Sequence, residues 1–477
     1  MNGNKGNTTK IVLLLLLIVS VSVQLHAAPG DVLFKVNIKN IFPESSDPIE
    51  QWYLMNGKLF LICDQTGNVH EKMFTAMLNP ETGKTEWTKT WDINKKGIGY
   101  SFFDYPGIET DPDHFFTWFF YYEPKVAGAK PPERKPMFGC IDIDSLEVKW
   151  EVESGSHYMM SFGPCQGALL LDKGKVYVNH IAHNINCYDA KTGKSLWSTA
   201  LNVKEYWDIL IFPMKLHNGK LYFGVGYNVP DAPGAELFCM DPATGKVIWQ
   251  KQLGVTGDEV VFSELVFFDG KIVFQAGGWL IRVDETDGRV ITKYPLTGYG
   301  YQYDNGKMFF ADGLSQMVCY DYAKGKGVWY YDPFFLSDIR KYPDMYDLSG
   351  EFVGYGDGKV IYDTGTLGMK KIGRLLCLDG TSGKVVWDFA MGDGQMPASD
   401  PVFYNGMLYF ITALPFYGSL DYKPTLTTRL YCMDIDTGKV LWKKDYKTGV
   451  TYFPILKISG DVAYFSTLYD FYAVKLK

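Results

Sequence analysis

Short apolar runs alternate with turn residues along nearly the whole chain, and the alternation repeats. Leu221-Tyr222-Phe223 follows the polar turn Asn218-Gly219-Lys220. The same turn recurs as Asn56-Gly57, Lys173-Gly174, Asp269-Gly270, Asn305-Gly306, Asp357-Gly358 and Asn405-Gly406, each ahead of an apolar run. Asn-Gly and Asp-Gly accept the positive φ angles of tight hairpin turns. A second element follows each turn. Cys187-Tyr-Asp189-Ala-Lys-Thr-Gly193-Lys-Ser-Leu-Trp197 recurs from Cys239 to Trp249, Cys377 to Trp387 and Cys432 to Trp442. Looser copies run from Cys140 to Trp150 and from Cys319 to Trp329. In all six copies Asp stands two residues after Cys, and Trp ten after it. Two degenerate copies run from Met77 through Gly83 to Trp87, and from Arg282 through Asp284 and Gly288 to Thr292. Each unit thus predicts strand, tight turn, strand, connection, strand, Asp-x-x-Thr-Gly turn, strand. That is a four-stranded antiparallel blade, and tandem blades make an all-β propeller.

The repeated side chains have physical tasks. The Asp carboxylate can accept N–H bonds within its turn, and the Gly takes a conformation that a Cβ would strain. The tryptophans, Trp87, Trp150, Trp197, Trp249, Trp329, Trp387 and Trp442, are expected to bury large apolar areas against neighbouring blades. Eight cysteines are present, but six hold equivalent places in different blades. A ring spreads such positions beyond the roughly 7 Å Cα separation of a disulfide, so buried free thiols are expected. Cys63 and Cys165 fall outside the pattern.

These copies resemble the tryptophan-docking repeats of the pyrroloquinoline-quinone (PQQ) dehydrogenase superfamily, with Cys mostly in place of Ala. The same repeat builds the outer-membrane assembly scaffold BamB, a propeller that is not an enzyme. The resemblance implies one propeller domain over residues 29–477, usually of eight blades. Nine units can be counted here, because the start, Asp31-Val-Leu-Phe34-Lys, resembles Lys439-Val-Leu-Trp442-Lys and could complete the last blade. Eight blades are the expectation, with one unit an insertion or a merged blade and the region from Tyr100 to Trp150 the least regular.

Composition narrows the function. Hydrophobic residues make up 47% and aromatic residues 16%, with 49 Gly and 23 Pro among 477 residues, as suits strands punctuated by turns. The net charge of -7 argues against nucleic acid as a partner. Lys5 and Lys10 precede the apolar run Ile11 to Val19 and the small residues Ala27 and Ala28, a pattern that reads as an export signal over residues 1–28. No later stretch is apolar for the ~20 residues that span a bilayer.

In a four-stranded blade the first and third turns share one face of the disc. Insertions fall on the other: Tyr121 to Pro136, Tyr227 to Ala235, Tyr331 to Phe352 and Thr412 to Arg429. Binding residues gather on loops held by a rigid frame. The candidates for a partner face are Lys125, Lys130 and Arg134 in the first insertion, and Phe334, Phe335, Arg340, Tyr342 and Tyr346 in the third. Phe115 to Phe120 are read as a buried strand leading into the first. His180 and His183 lack the further ligands a zinc site needs and read as ordinary loop histidines. Arg282, in the apolar Cys position, either reaches a carboxylate or ligand inside the disc or snorkels out of a weakened blade.

A quinoprotein dehydrogenase would need PQQ, calcium with oxygen ligands and a carboxylate base. The resemblance also implies an adjacent-cysteine disulfide and, in some members, a haem-attachment Cys-x-x-Cys-His; the chain has neither motif. Shared repeats are not shared catalysis. The leading reading is an exported, monomeric scaffold without cofactor or metal that binds a protein partner in the cell envelope. The alternatives are a divergent PQQ dehydrogenase and a propeller that binds a glycan or small ligand.

Overall fold

The computed structural model describes residues 27–43, 49, 51–55, 57–64, 72–92, 97–99, 109–122, 134–145, 147–153, 169–180, 184–203, 209–211, 214–227, 234–255, 262–295, 301–304, 306–311, 316–332, 351–367, 372–391, 396–397, 399–413, 428–446, 455–467 and 469–477. These residues form nine antiparallel sheets, each following the strand order of the chain. We number them as blades: 1 (51–92), 2 (97–153), 3 (169–200), 4 (209–252), 5 (266–295), 6 (301–331), 7 (351–390), 8 (396–446) and 9 (456–475). In blades 2, 4 and 8 the first strand comes in two pieces that pair with the same second strand. The N-terminal strand Val32–Asn37 pairs with Asp470–Lys475 and supplies the fourth strand of blade 9.

The core shows that nine blades close a ring. Nine apolar clusters are present among the described residues, and each joins side chains of two adjacent blades. One of them packs Tyr464, Phe471 and Ala473 of blade 9 against Trp52, Leu59 and Leu61 of blade 1. The expected eight blades are therefore corrected to nine. The irregular region around Tyr100 to Trp150 builds a blade of its own, and so does the degenerate unit that contains Arg282. No unit is merged.

Both turn elements behave as their residues dictate. Lys173, Asn218, Asp269, Asp357 and Asn405 all have φ between 45° and 53°, each followed by Gly with positive φ. That pair is the two-residue hairpin turn whose twist matches the strands. In the second turn, Asp189 Oδ1 accepts the Thr192 N–H at 2.9 Å and the Thr192 hydroxyl at 2.7 Å. Asp434 and Thr437 repeat this at 2.8 and 2.7 Å, and Asp379 and Ser382 at 2.7 and 2.8 Å.

The tryptophans dock on the next blade along. The indole N–H of Trp150 donates to Ala190 O at 2.8 Å, Trp197 to Pro242 O at 3.1 Å, Trp329 to Gly380 O at 3.1 Å and Trp387 to Ile435 O at 2.8 Å. Every acceptor is the residue just after the turn Asp, or Asp's equivalent, of the next blade. The turn glycine lies flat on the same indole: a Cβ built on Gly193 would stand 2.5 Å from Trp150, and one on Gly438 2.6 Å from Trp387. Phe34 takes the tryptophan's place in blade 9 and covers Gly83 of blade 1, whose built Cβ would stand 2.4 Å from the ring. The six cysteines of the repeat are buried free thiols, as expected. Cys63 is also buried, and Cys165 lies outside the described residues.

Candidate functional site

The two faces of the disc differ in kind. On one face the first and third turns of blades 3 and 5 to 8 are tied together by backbone bonds. Ala190 N–H donates to Gly174 O at 2.8 Å, Glu285 to Gly270 at 3.0 Å, Tyr322 to Gly306 at 3.1 Å and Gly380 to Gly358 at 2.8 Å. This face is short, repeated and rigid. The other face carries the insertions, and the strand ends fall where the sequence placed them. Strand His114–Tyr122 leads out and Arg134–Asp142 returns, as do Lys220–Tyr227 and Ala235–Met240, and Met407–Ala413 and Thr428–Asp434. Phe115 and Phe116 are buried, in keeping with the strand reading. Of the candidate partner residues, Arg134 opens its strand. Lys125, Lys130, Phe334, Phe335, Arg340, Tyr342 and Tyr346 lie outside the described residues, as do His183 and residues 1–26 of the expected export signal. His180 ends the strand Lys175–His180.

Arg282 does neither thing expected of it. It pairs across the sheet with Thr292, which stands where the other blades have Trp. Its guanidinium crosses to blade 6, where Nη1 donates to Tyr322 O at 3.1 Å and to Ala323 O at 2.8 Å. Tyr322 follows Asp321, so its carbonyl is the one an indole would have bound. The turn glycine Gly325 again faces the docking group: a Cβ built on it would stand 3.5 Å from Nη1. Arg282 thus replaces the missing tryptophan from the adjacent strand. Thr292 in the tryptophan position is the sequence signal of this exchange.

Motifs gave no sign of one further feature. On the short-turn face, residues in or beside the first strands of blades 4 to 7 line a cavity of about 740 Å³, including Lys215, His217, Glu264, Gln302, Asp304 and Tyr355. First strands are the innermost of a propeller, so this cavity is a mouth of the central channel. Lys215 pairs with Glu264. The His217 ring stacks on Phe267 with centroids 4.1 Å apart, and its Nε2 lies 3.8 Å from the buried Glu285 carboxylate. Glu285 also accepts from the Asn218 amide and the Tyr222 hydroxyl, each at 3.2 Å. Tyr355 donates its hydroxyl to Asp304 at 2.7 Å, and burial together with that carboxylate pushes its pKa up. The mouth is polar and of mixed charge, suited to holding a small polar group by hydrogen bonds. First strands carry no repeated signature, which is why the sequence did not reveal it. No three His, Cys, Asp or Glu side chains among the described residues converge on a metal position. No helix among them is long and apolar enough to cross a membrane.

The sequence model for outer membrane protein assembly factor BamB matches residues 75–274 and 337–473. The chain belongs to the BamB family. It is also similar to a quinohemoprotein alcohol dehydrogenase, ADH IIB of Pseudomonas putida, with 28% identity over 194 residues. That match covers 40% of this chain and 25% of that protein, so the chain spans about a quarter of the relative's length. Among solved structures, BamB of Moraxella catarrhalis shares 12% identity over 94% of this chain and 99% of that one, with a TM-score of 0.43. The quinohemoprotein alcohol dehydrogenase of Comamonas testosteroni shares 13% over 94% of this chain and 76% of that one, with a TM-score of 0.46.

Proposed function

We propose that this BamB-family propeller is an exported scaffold that binds a protein partner through its insertion-bearing face and catalyses no reaction. The observation that carries the reading is the asymmetry of the disc. One face is tied through repeated turn-to-turn bonds in blades 3 and 5 to 8, while the other holds segments that differ in length and sequence from blade to blade. A rigid frame with variable loops on one side suits recognition of one extended partner surface. The basic start and apolar run of residues 5–19 support export to the envelope, where the protein acts as a monomer.

The test places a photo-crosslinking residue at Lys130 or Tyr342, within the inserted segments, and at Asn218 or Lys246 on the short-turn face. Irradiated in the native envelope, the first pair should yield a discrete adduct and the second none. Equal labelling from both faces would defeat the proposal. The similarity to a quinohemoprotein alcohol dehydrogenase favours a second reading, a divergent PQQ dehydrogenase. Dye reduction with a primary alcohol after adding PQQ and calcium, or a raised melting temperature with both, would establish that reading instead.

A further inference from the structure

At the junction of blades 3 and 4, on the insertion-bearing face, a carboxylate is buried with no cationic partner among the described residues. Glu236 is the second residue of the strand Ala235–Met240, which returns from one of the insertions. It is only 4% exposed, and no cationic side chain among the described residues pairs with it. Its Oε2 accepts a hydrogen bond from the Gln250 side-chain amide, and that same amide nitrogen donates to Asn202 O at 3.0 Å in the link from blade 3. A neutral amide does not offset a buried negative charge, which ordinarily requires a cation or a metal. The carboxylate opens on a cavity of about 440 Å³ lined by Asn202, Val203, Glu236, Gln250 and Gln252. All of its polar walls are amides apart from the one acid.

We propose that this cavity is a socket for a guanidinium group, namely an arginine side chain of the protein partner, a step that rests on the scaffold reading above. A guanidinium can place two parallel N–H bonds on one carboxylate, and its remaining N–H groups suit the amide oxygens of Asn202 and Gln252. It is also less strongly hydrated than an ammonium, so it enters a semi-enclosed polar site at lower cost. The position fits: the socket lies beside the insertion between Tyr227 and Ala235, where the partner is expected to dock.

Calorimetric titration of the full protein with N-acetylarginine methylamide tests it, with N-acetylcitrulline methylamide as the uncharged probe of the same shape. The arginine probe should bind at least tenfold more tightly. Glu236→Gln, which keeps the shape and the Gln250 contact, should lose that preference while leaving the melting temperature unchanged or raised. Asn202→Arg, which plants a guanidinium at the rim, should raise the melting temperature and abolish probe binding. Equal binding of the two probes, or a Glu236→Gln protein that still prefers arginine, would overturn the socket even if loop crosslinking captures a partner. Selective probe binding without any adduct from the loops would overturn the assignment to a partner's side chain and with it the scaffold reading.

Discussion

At the residue scale the exchange at blade 5 is the sharpest case. A tryptophan docks by covering a glycine and giving one N–H to one carbonyl; Arg282 meets the second requirement with Nη1 and approaches the first with its planar fork. Hydrogen bonds from a charged donor are worth about 1.5–3 kcal/mol, and the carbonyls they leave behind must find water. Arg282→Ala should therefore lower stability by about 2 kcal/mol in urea unfolding followed by tryptophan fluorescence. The paired change Arg282→Cys with Thr292→Trp restores the common dock and should recover most of that loss. Failure of the pair to recover it would show that this junction is built on something other than the dock. The cysteines make a second case. Burial pushes the thiols of Cys140 and Cys377 up to about 12, and those of Cys187 and Cys319 up to about 11. Thiolate is the reactive form. Iodoacetamide at pH 8 should leave these four unmodified in the native protein and label all four after denaturation, as read by peptide mass spectrometry.

At the scale of the element, the third turn explains both what was legible and what was not. Asp, Thr and Gly at fixed spacing announced the turn because each residue meets a local need that depends on no other blade. Hydrogen bonds from the hydroxyl three residues on, and then from backbone N–H groups, hold Asp189, Asp241, Asp379 and Asp434 below the ordinary carboxylate value of 3.8. A folded-state value below the unfolded one stabilises the fold fully above the unfolded value and is lost as pH falls through the folded one. The urea midpoint should thus hold steady down to about pH 4 and fall steeply below it. Asn79 fills the same place in blade 1 and accepts the Glu81 and Thr82 N–H groups at 3.0 Å each. Asp189→Asn should accordingly keep the turn and make the acid loss shallower; an unchanged slope would place the acid sensitivity elsewhere. The fourth strand hid its own device. In every blade its register with the third strand slips just past the docking position, as between Cys187 opposite Trp197 and Tyr188 opposite Ser195. The skipped residue, Leu196, Ile248, Val328, Val386 or Leu441, is turned outward and 40–47% exposed. A bulge of this kind bends the outer edge away from regular pairing with another molecule. Apolar pattern alone reads these residues as core, and only the pairing register shows that they are not.

At the scale of the whole molecule, the repeat was plain but its number was not, because the number depends on how the ring closes. The clasp is one strand: Val32–Asn37 lies against Asp470–Lys475, Gly30 N–H donates to Lys475 O at 2.8 Å, and Asn37 donates to Asp470 at 2.7 Å. Phe34 presses on Gly83 of blade 1, and Gly30 rests under Trp442 of blade 8, where a built Cβ would stand 3.3 Å from the indole, so this strand ties three blades together. Internal junctions are held by the covalent link from blade to blade as well as by docking; within blade 9 the fourth strand is held by side chains and hydrogen bonds alone. The clasp should therefore be the first part to open. Phe34→Ala removes a half-buried ring, a loss of about 2 kcal/mol by comparison with fully buried cases. It should abolish hydrogen-exchange protection of residues 32–37 and 470–475 at denaturant concentrations where the other blades remain protected. Trp197→Ala, at an internal junction, should instead lower protection across the whole ring together. If Phe34→Ala behaved like Trp197→Ala, the closure would be no weaker than any other joint. The nine sheets would then unfold as one unit whose stability does not depend on where its ends meet.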